Sequence, residues 1–265
     1  MRRRDKYKQD LLITTDIGKF YVDPRDQFVT KELVDTGNYS PQERAIYAKF
    51  FSQSSKLLWL GAHIGAHVVP ISKMVQSITA FEANPFTHTL LEKNLALNNC
   101  LNVKHFNVAA SDADQDIEFA CNVVNSGGSK RVPIFNDQIY FDDETKIVTV
   151  KAKPLDNLLN DHDYEFIFMD IEGSETLAMR GMPKIISKAR VLVAEFIPHH
   201  LSRVAGVTVS DFLEPLRTFK TAIFPSFKKT VYGTDIEMVL GRMFEADAIE
   251  LGIIFIKDEV AIDWA

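Results

Sequence analysis

Five short apolar runs recur along the chain and predict the strands of one sheet. They cover residues 57–60, 78–81, 103–108, 165–169 and 191–194. Apolar runs without polar alternation are typical of strands buried on both faces, as in a parallel sheet covered by helices. Residues 222–224 and 251–256 are candidate closing strands. The pattern predicts an α/β fold with a doubly wound, mostly parallel sheet and helices on both faces.

The first 54 residues have a different pattern and predict an extension packed on this core. Residues 11–15 and 19–22 flank Gly18 and predict a hairpin. Residues 26–34 predict a helix that ends at Gly37. Ser40-Pro41-Gln42-Glu43 has the form of a capping box and predicts a second helix over residues 41–53. We therefore expect a hairpin and helical extension, residues 1–54, and a core domain, residues 55–265.

A glycine turn and an acid mark the carboxyl ends of the first two core strands. The first strand leads into Gly61-Ala62-His63-Ile64-Gly65 and a helix predicted over residues 64–74, and Glu82 ends the second strand. In doubly wound folds, such glycines let the backbone approach a nucleotide-like ligand, and the acid binds ribose hydroxyls. The glycine spacing alone also suits an ordinary tight turn. Together with Glu82, it predicts a cofactor site.

Further segments are predicted at the same edge of the sheet. Asn84-Pro85 caps the next helix beside this site, and the small residues 109–112 could hold a flat ring or form a plain turn. The polar residues 125–131, between β-rich segments 117–123 and 147–152, predict a mobile insertion over the site. The cofactor-binding candidates are Gly61, Ala62, His63, Gly65, Glu82, Ala83, Asn84 and Ala110.

Acidic residues cluster where the fourth core strand ends. Asp170, Glu172 and Glu175 follow this strand, and Glu195 ends the fifth. Asp and Glu are rarely buried without a partner, so three acids within six residues do not suit packing. The alternative is that one acid caps the following helix while the others are solvated. The cluster predicts a functional site at the carboxyl edge of the sheet.

Composition and charge exclude several classes of protein. The 265 residues are 46% hydrophobic and 25% charged, ordinary values for a globular chain. No apolar run reaches membrane-spanning length and no signal-peptide pattern follows the start, so we expect a cytoplasmic protein without an integral membrane segment. The net charge of −6 argues against a general nucleic-acid binder, and the basic residues 2–8 predict a solvated tail or a contact with phosphate or lipid. Cys100 and Cys121 suit a structural role in a reducing compartment.

Taken in order, the motifs resemble the FkbM family of S-adenosylmethionine-dependent methyltransferases. The family pattern has Gly-Ala-Asn-x-Gly at the first turn, Phe-Glu-x-Asn-Pro at the second and Asp-x-Glu-Gly-x-Glu after the fourth strand. Residues 61–65, 81–85 and 170–175 follow it here. Gly37, Tyr39 and Glu43 ahead of the core, and Leu155-Asp156 after the insertion, also match. The ordered set is far more specific than any single motif.

The resemblance implies a Rossmann-like methyltransferase sheet and S-adenosylmethionine as cofactor. It also implies methyl transfer to a hydroxyl oxygen of a small molecule or carbohydrate. Nucleic acid is a poorer acceptor, because no Asn/Asp-Pro-Pro-aromatic motif follows the fourth strand. Such chemistry needs alignment of the reacting atoms and a base. Asp170, also a cofactor-binding candidate, or Glu172 could supply that base.

His199 and His200 are the alternative candidates, because histidine titrates near neutral pH. Adjacent histidines are, however, more often surface or packing residues. A metal-assisted reaction would use Asp170, Glu195 and a histidine. Their spacing is not diagnostic, and we expect no metal.

Two departures from the family pattern affect the cofactor site. Trp59 replaces an Asp that ordinarily helps to hold the amino-acid end of the cofactor, and His63 replaces an Asn. One hypothesis is that Trp59 fills the space of the acid and that His63 takes over part of its role. Trp59→Asp should then bind the cofactor at least as tightly. The other is that the chain is a binding or scaffold module that kept the fold and lost the chemistry.

Overall fold

The computed structural model describes residues 10–135, 140 and 143–259; the basic residues 2–8 lie outside this range. The strands are β1 (Leu11–Thr15), β2 (Gly18–Val22), β3 (Lys56–Leu60), β4 (Ser77–Phe81), β5 (Val103–Phe106), β6 (Ala109–Ala110), β7 (Gln115–Cys121), β8 (Lys130–Arg131), β9 (Lys146–Lys153), β10 (Phe166–Met169), β11 (Val191–Phe196), β12 (Thr221–Phe224), β13 (Lys229–Tyr232) and β14 (Glu250–Ile256). The α-helices are α1 (Val29–Thr36), α2 (Pro41–Tyr47), α3 (Val68–Ser72), α4 (Pro85–Leu97), α5 (Leu155–Leu158), α6 (Glu175–Arg180), α7 (Pro183–Lys188), α8 (Pro198–His200), α9 (Val209–Leu213) and α10 (Asp235–Glu245).

An eight-stranded sheet organises the described chain, in the order β13-β12-β14-β11-β10-β3-β4-β5. The strands from β5 to β11 are parallel, while β14, β12 and β13 pair antiparallel at one side. This confirms the predicted doubly wound, mostly parallel α/β fold. The chain leaves β3 for β4 and β5 on one side and later forms β10 and β11 on the other. A crevice is therefore expected at the carboxyl ends of β3 and β10, where the strand order reverses.

Both faces of the parallel strands are buried, as the apolar runs predict. In β3, Leu58 and Leu60 pack in one apolar core, whereas Leu57 and Trp59 pack in the other, and each is at most 1% exposed. Side chains alternate between the two faces of a strand, so four consecutive apolar residues fill both cores. Full burial of such a side chain stabilises the fold by about 1.5–3 kcal/mol.

A buried side-chain amide, that of Asn94, connects the N-terminal extension to α4. The Asn94 side chain accepts a hydrogen bond from the Tyr21 N–H at 2.6 Å and donates to the carbonyls of Tyr21 and Ile64 at 3.1 and 2.8 Å. These bonds connect β2, α4 and the first glycine turn. The predicted hairpin is confirmed, with β1 and β2 antiparallel, and Gly37 ends α1 at φ 69° as predicted.

Two predicted helices are shorter than expected. The helix expected over residues 64–74 is only α3, because residues 63–67 form tight turns that include Gly65 at φ 90°. The helix expected over residues 41–53 ends as α2, followed by one 3₁₀ turn at Ala48–Phe50. Ser40 makes no capping hydrogen bond to α2 because its backbone is left-handed, at φ 37°. Its N–H donates instead to Glu32 Oε1 at 2.9 Å.

The segment between β5 and β10 forms a second, four-stranded sheet in the order β6-β9-β7-β8. It has its own small apolar core, which includes Ile117, Phe119 and Val150. We call this segment, residues 107–153, the insertion. The sequence analysis predicted its two long strands but not β6 and β8, and it also missed α7, β13 and α10. Within the described residues, no helix has the length and hydrophobicity needed to cross a membrane.

Candidate active site

A cleft opens over the carboxyl ends of β3, β4 and β10, where the strand order reverses. Its walls come from the sheet edge, the N-terminal extension and the insertion. The lining includes Gly61, His63, Glu82 and Asp170 from the sheet edge, Val29 and Tyr39 from the extension, and Ser126, Gly127, Ser129 and Arg131 from the insertion. Residues of the insertion therefore form part of the wall of this cleft.

Gly61 allows two strand ends to meet at this cleft. Its φ is 80°, and a Cβ atom there would lie 1.9 Å from the Asp170 carbonyl oxygen. The N–H groups of Gly61 and Ala62 both donate to the Phe81 carbonyl, at 3.0 and 2.9 Å. A side chain at position 61 would separate β3 from β10. The glycine therefore holds the ends of β3, β4 and β10 together.

Glu82 is held in place by the backbone around it. Its Oε2 accepts from the His63 N–H at 2.7 Å, and its Oε1 accepts from the Asn84 N–H at 2.8 Å. The side chain is 7% exposed, and burial raises its pKa while these hydrogen bonds oppose that rise. Each carboxylate oxygen has more than one acceptor position. Glu82 can therefore accept further hydrogen bonds from hydroxyls in the cleft.

His63 connects the glycine turn to the extension and the insertion. Asp26 Oδ2 accepts hydrogen bonds from the Ser126 N–H at 3.0 Å and from the Ser126 hydroxyl. Because that hydroxyl donates to Asp26, it accepts from His63 Nε2, which lies 2.7 Å away. His63 thus carries its proton on Nε2 and leaves Nδ1 as an acceptor. Burial lowers the pKa of His63 to about 4, so the ring is neutral near pH 7.

Two imidazole nitrogens at this cleft are buried without a protein partner. Nδ1 of His63 and Nδ1 of His67 make no hydrogen bond to any residue in the described ranges, and both histidines line the cleft. Buried polar atoms are normally paired, so these two favour a ligand with polar groups. Small or apolar side chains that suit a flat ring also line the cleft; they include Val108, Ala109, Ala110 and Ile117. The combination fits a nucleoside, with Glu82 available to its hydroxyls.

Trp59 belongs to an aromatic layer beneath the cleft. Its ring stacks on Phe168 with centroids 4.1 Å apart and an interplanar angle of 18°. His67 lies 5.7 Å from Trp59 and 5.0 Å from Tyr39, and burial lowers the pKa of His67 to about 3. Trp59 is 1% exposed and does not line the cleft. In this chain, the residue at position 59 therefore packs beneath the cleft and is not placed to contact a ligand in it.

Asp170 is the acid of the predicted cluster that lines the cleft. Asp170 is exposed to the cleft, but partial desolvation by the surrounding protein raises the pKa of its carboxyl, and the charges of Glu172 and Glu175 raise it further. Glu175 is buried below the turn, where its Oε1 accepts from the Ile171 N–H at 3.0 Å. Burial raises the pKa of Glu175 to about 7. The arrangement gives Asp170 a raised pKa and direct contact with the cleft.

Glu172 has a different environment from Asp170. It accepts a hydrogen bond from Lys130 Nζ at 2.8 Å, and His200 Nδ1 lies 3.1 Å from the same oxygen, Oε2. Burial alone would raise the pKa of Glu172, but the contact with His200 and the charge of Lys130 lower it below the usual value. Lys130 comes from β8, so this ion pair connects the insertion to the end of β10.

Several predicted site residues lie outside the cleft lining. Ala62 is buried, and Gly65 lies against Leu91. Asn84 caps α4 by accepting from the Phe86 N–H at 3.0 Å. Glu172 faces Lys130, and His199 Nδ1 contacts Asp247 Oδ1 at 3.0 Å. The structure thus brings Gly61, His63, Glu82, Ala83, Ala110 and Asp170 together at the cleft.

The sequence analysis did not name His67, Ser126, Ser129 and Arg131 as site residues. Ser126, Ser129 and Arg131 belong to the polar stretch 125–131 that was expected over the site, so that stretch contained a usable signal. Tyr39 was noted only as part of the family pattern. His67 has no comparable signal, because its place at the cleft depends on the tight turns that precede α3.

A family model described as the methyltransferase FkbM domain matches residues 60–228 of the chain. The fold is similar to the crystal structure of methyltransferase FkbM from Methylobacillus flagellatus KT, with a TM-score of 0.46 and 19% identity; the match covers 77% of this chain and 44% of that chain. It is also similar to precorrin-6y C5,15-methyltransferase from Geobacter metallireducens GS-15, with a TM-score of 0.45 and 13% identity, over 89% of this chain and 97% of that chain.

A third similar structure is a TehB-like SAM-dependent methyltransferase from Corynebacterium glutamicum, with a TM-score of 0.47 and 13% identity. That match covers 86% of this chain and 94% of the other. The chain thus spans less than half the length of the Methylobacillus protein and almost the full length of the other two. No match was found among curated proteins.

Proposed function

The chain belongs to the FkbM methyltransferase family, and from this premise we propose that it transfers a methyl group to a hydroxyl oxygen of a small molecule or carbohydrate. S-adenosylmethionine is the methyl donor of the family. The observation that carries the proposal is the convergence of the Gly61 turn, Glu82 and Asp170 on one cleft. Glu82, the acid proposed to bind the ribose, and Asp170, an acid with a raised pKa, both line this cleft.

The residues of the cleft fit the donor. Glu82 would accept hydrogen bonds from the ribose hydroxyls, and Ala83 and Ala110 would lie against the adenine ring. Nδ1 of His63, buried and without a partner among the described residues, is available to a donor group of the ligand. When bound, the donor supplies an electrophilic methyl carbon on a positively charged sulfur.

Asp170 is the proposed general base. An ionised Asp170 would accept the proton of the acceptor hydroxyl as the hydroxyl oxygen bonds to the methyl carbon, the carbon–sulfur bond of the donor breaks and S-adenosylhomocysteine leaves. Partial desolvation and the neighbouring charges of Glu172 and Glu175 raise the pKa of Asp170 and so increase its affinity for a proton. Glu172, bonded to Lys130, would support the turn that carries Asp170. His199 pairs with Asp247 outside the cleft lining, so we assign it no part in this step.

Isothermal titration calorimetry with S-adenosylmethionine and S-adenosylhomocysteine tests the donor site. Glu82→Gln keeps the shape of the side chain but replaces one acceptor by an amide NH₂ group. The affinity should fall about ten- to a hundred-fold, as expected when charged hydrogen bonds worth about 1.5–3 kcal/mol are lost. Glu118→Gln, on an exposed position of β7, is the matched control and should bind like the parent.

An unchanged affinity in folded Glu82→Gln would contradict the site assignment. Acceptors can then be screened by transfer of a labelled methyl group to hydroxyl-bearing sugars and small molecules. Trp59 favours a second candidate, a binding module without turnover, because a stacked indole stands where the family pattern has an acid. Tight donor binding without formation of S-adenosylhomocysteine in any acceptor assay would support that candidate.

A further inference from the structure

Two acids that do not line the cleft, Glu172 and Glu195, lie at the carboxyl ends of β10 and β11. Glu172 follows β10, and Glu195 is in β11 near its end. Their charges act on each other and on Asp170 and Glu175. Among the described residues, Lys130 supplies the ammonium group in this region. Its Nζ donates a hydrogen bond to Glu172 Oε2 at 2.8 Å. Four carboxylates therefore share one short region with one lysine.

Glu195 is the most unusual member of this group. Its side chain is buried, at 6% exposure. No hydrogen bond or ion pair joins its carboxylate to a residue in the part of the chain that the structure describes, and the carboxylate oxygens keep some contact with solvent. Buried carboxylates are normally paired or coordinate a metal. The methyl-transfer step proposed above does not use Glu195, so this acid needs another explanation.

His200 completes a set of ligand atoms around Glu195. Its Nδ1 is buried and lies 3.1 Å from Glu172 Oε2. One ligand atom from each of Glu172, Glu195 and His200 can be chosen so that all lie within 4.8 Å of one another. Neighbouring ligands of an octahedral ion with bonds of about 2.1 Å are separated by about 3.0 Å, close to the His200–Glu172 distance.

We propose that Glu172, Glu195 and His200 bind a divalent transition-metal cation of the Mn²⁺ type. Two carboxylates and one imidazole form a mixed oxygen and nitrogen set, which suits Mn²⁺, Fe²⁺ or Co²⁺. The two carboxylate charges balance those of the ion. Three protein ligands leave further coordination positions for water. This ligand set differs from the one conceivable from sequence, because Glu172 takes the place of Asp170.

Lys130 competes with the metal ion for this site. Its Nζ bonds to Glu172 Oε2 and lies 3.4 Å from His200 Nε2. A metal ion on Nδ1 leaves the proton on Nε2, which cannot accept a hydrogen bond from an ammonium. Lys130 therefore has to withdraw when the ion binds. Loss of its charge should therefore strengthen metal binding. If Lys130 only held the ligands in place, its loss would weaken metal binding instead.

The test is titration of the full chain with Mn²⁺ after chelator treatment, without any methyl donor. Calorimetry measures affinity and stoichiometry, and electron paramagnetic resonance measures the loss of the free Mn²⁺ signal. Mn²⁺ is preferred to Zn²⁺ because His88 and His105 form a separate histidine pair, with nitrogens 3.1 Å apart. One ion per chain should bind, and Glu195→Gln and His200→Gln should each weaken binding at least tenfold.

Two further variants make the test specific. Lys130→Met should bind Mn²⁺ more tightly than the parent, and Glu118→Gln, an exposed acid of β7, should bind like the parent. Urea unfolding of each variant confirms that it is folded. The proposal is overturned if the folded parent binds no Mn²⁺ at millimolar concentration, if Glu195→Gln binds normally, or if folded Lys130→Met binds more weakly. No result depends on methyl transfer, so failure of the proposed function would leave this test intact.

Discussion

Asp170 combines contact with the cleft and an environment of other acids, so its role can be separated from that of Glu82. Asp170→Asn keeps the shape of the side chain and removes the basic oxygen. Turnover should fall about a hundred- to ten-thousand-fold, the usual contribution of general-base catalysis. Affinity for the donor should stay near that of the parent. Kinetics with an identified acceptor, together with calorimetry, measure both quantities. Equal losses of turnover and affinity would show that Asp170 binds the methyl donor. Near-normal turnover would show that Asp170 is not the general base.

Trp59 illustrates how packing changes a prediction made from a motif. The sequence suggested that Trp59→Asp would bind the donor at least as tightly as the parent. The structure shows the indole buried and stacked on Phe168. An aspartate there would leave a cavity and an unpaired buried charge, which together cost more than about 4 kcal/mol. We therefore expect Trp59→Asp to lose its fold.

Circular dichroism and urea unfolding measure this effect directly. Trp59→Phe keeps an aromatic ring against Phe168 and is the matched control; it should stay folded and bind the donor within a few-fold of the parent. A folded Trp59→Asp with tighter donor binding would restore the original hypothesis.

At the scale of elements, the cleft depends on one junction between the extension, the glycine turn and the insertion. The Ser126 hydroxyl contacts both Asp26 and His63. Ser126→Ala removes these bonds and leaves Asp26 with the N–H groups of Ser126, Thr30 and Phe28. Because a hydrogen bond to a charged group contributes about 1.5–3 kcal/mol, the junction should open more often. The expected result is faster amide hydrogen exchange at residues 126–128 and weaker donor binding.

The matched control is Ser54→Ala, at an exposed position before β3. It should leave both the exchange rates at residues 126–128 and the donor affinity unchanged. Protected amides in Ser126→Ala would show that other contacts of the insertion, such as the Lys130–Glu172 ion pair, are sufficient to hold it.

At the scale of the whole molecule, the buried histidines make stability depend on pH. Burial and, to a smaller extent, the positive charge of Arg44 together lower the pKa of His67 from 6.5 to about 3 in the folded chain. Below pH 6.5 the unfolded chain binds a proton at this position and the folded chain does not. His67 thus lowers the free energy of unfolding progressively as the pH falls from 6.5 toward 3. The contribution is about 1.4 kcal/mol per pH unit inside this window.

His67→Phe should remove this contribution while keeping an aromatic ring beside Trp59. The free energy of unfolding, measured by urea titration at several pH values between about 4 and 6, should then depend less steeply on pH. His162→Gln removes a half-buried imidazole elsewhere and is the comparison variant. An unchanged slope in His67→Phe would mean that His67 is protonated in the folded chain.

The sequence by itself determined the sheet, its direction and the edge of the sheet at which the candidate site was expected. Apolar runs such as residues 57–60 specify strands buried on both faces, and the glycine turn and Glu82 follow them directly, so local pattern was sufficient. Only the tertiary structure decided which side chains meet. Asp26 and Ser126 are 100 positions apart, and Lys130 and Glu172 are 42 apart. Such contacts depend on how the insertion folds back over the sheet, and no periodicity along the chain records that path. For the same reason, the sequence did not show that Trp59 packs beneath the cleft or that His199 lies outside the cleft lining. It also did not show that Glu172 lies beside Glu195 and His200.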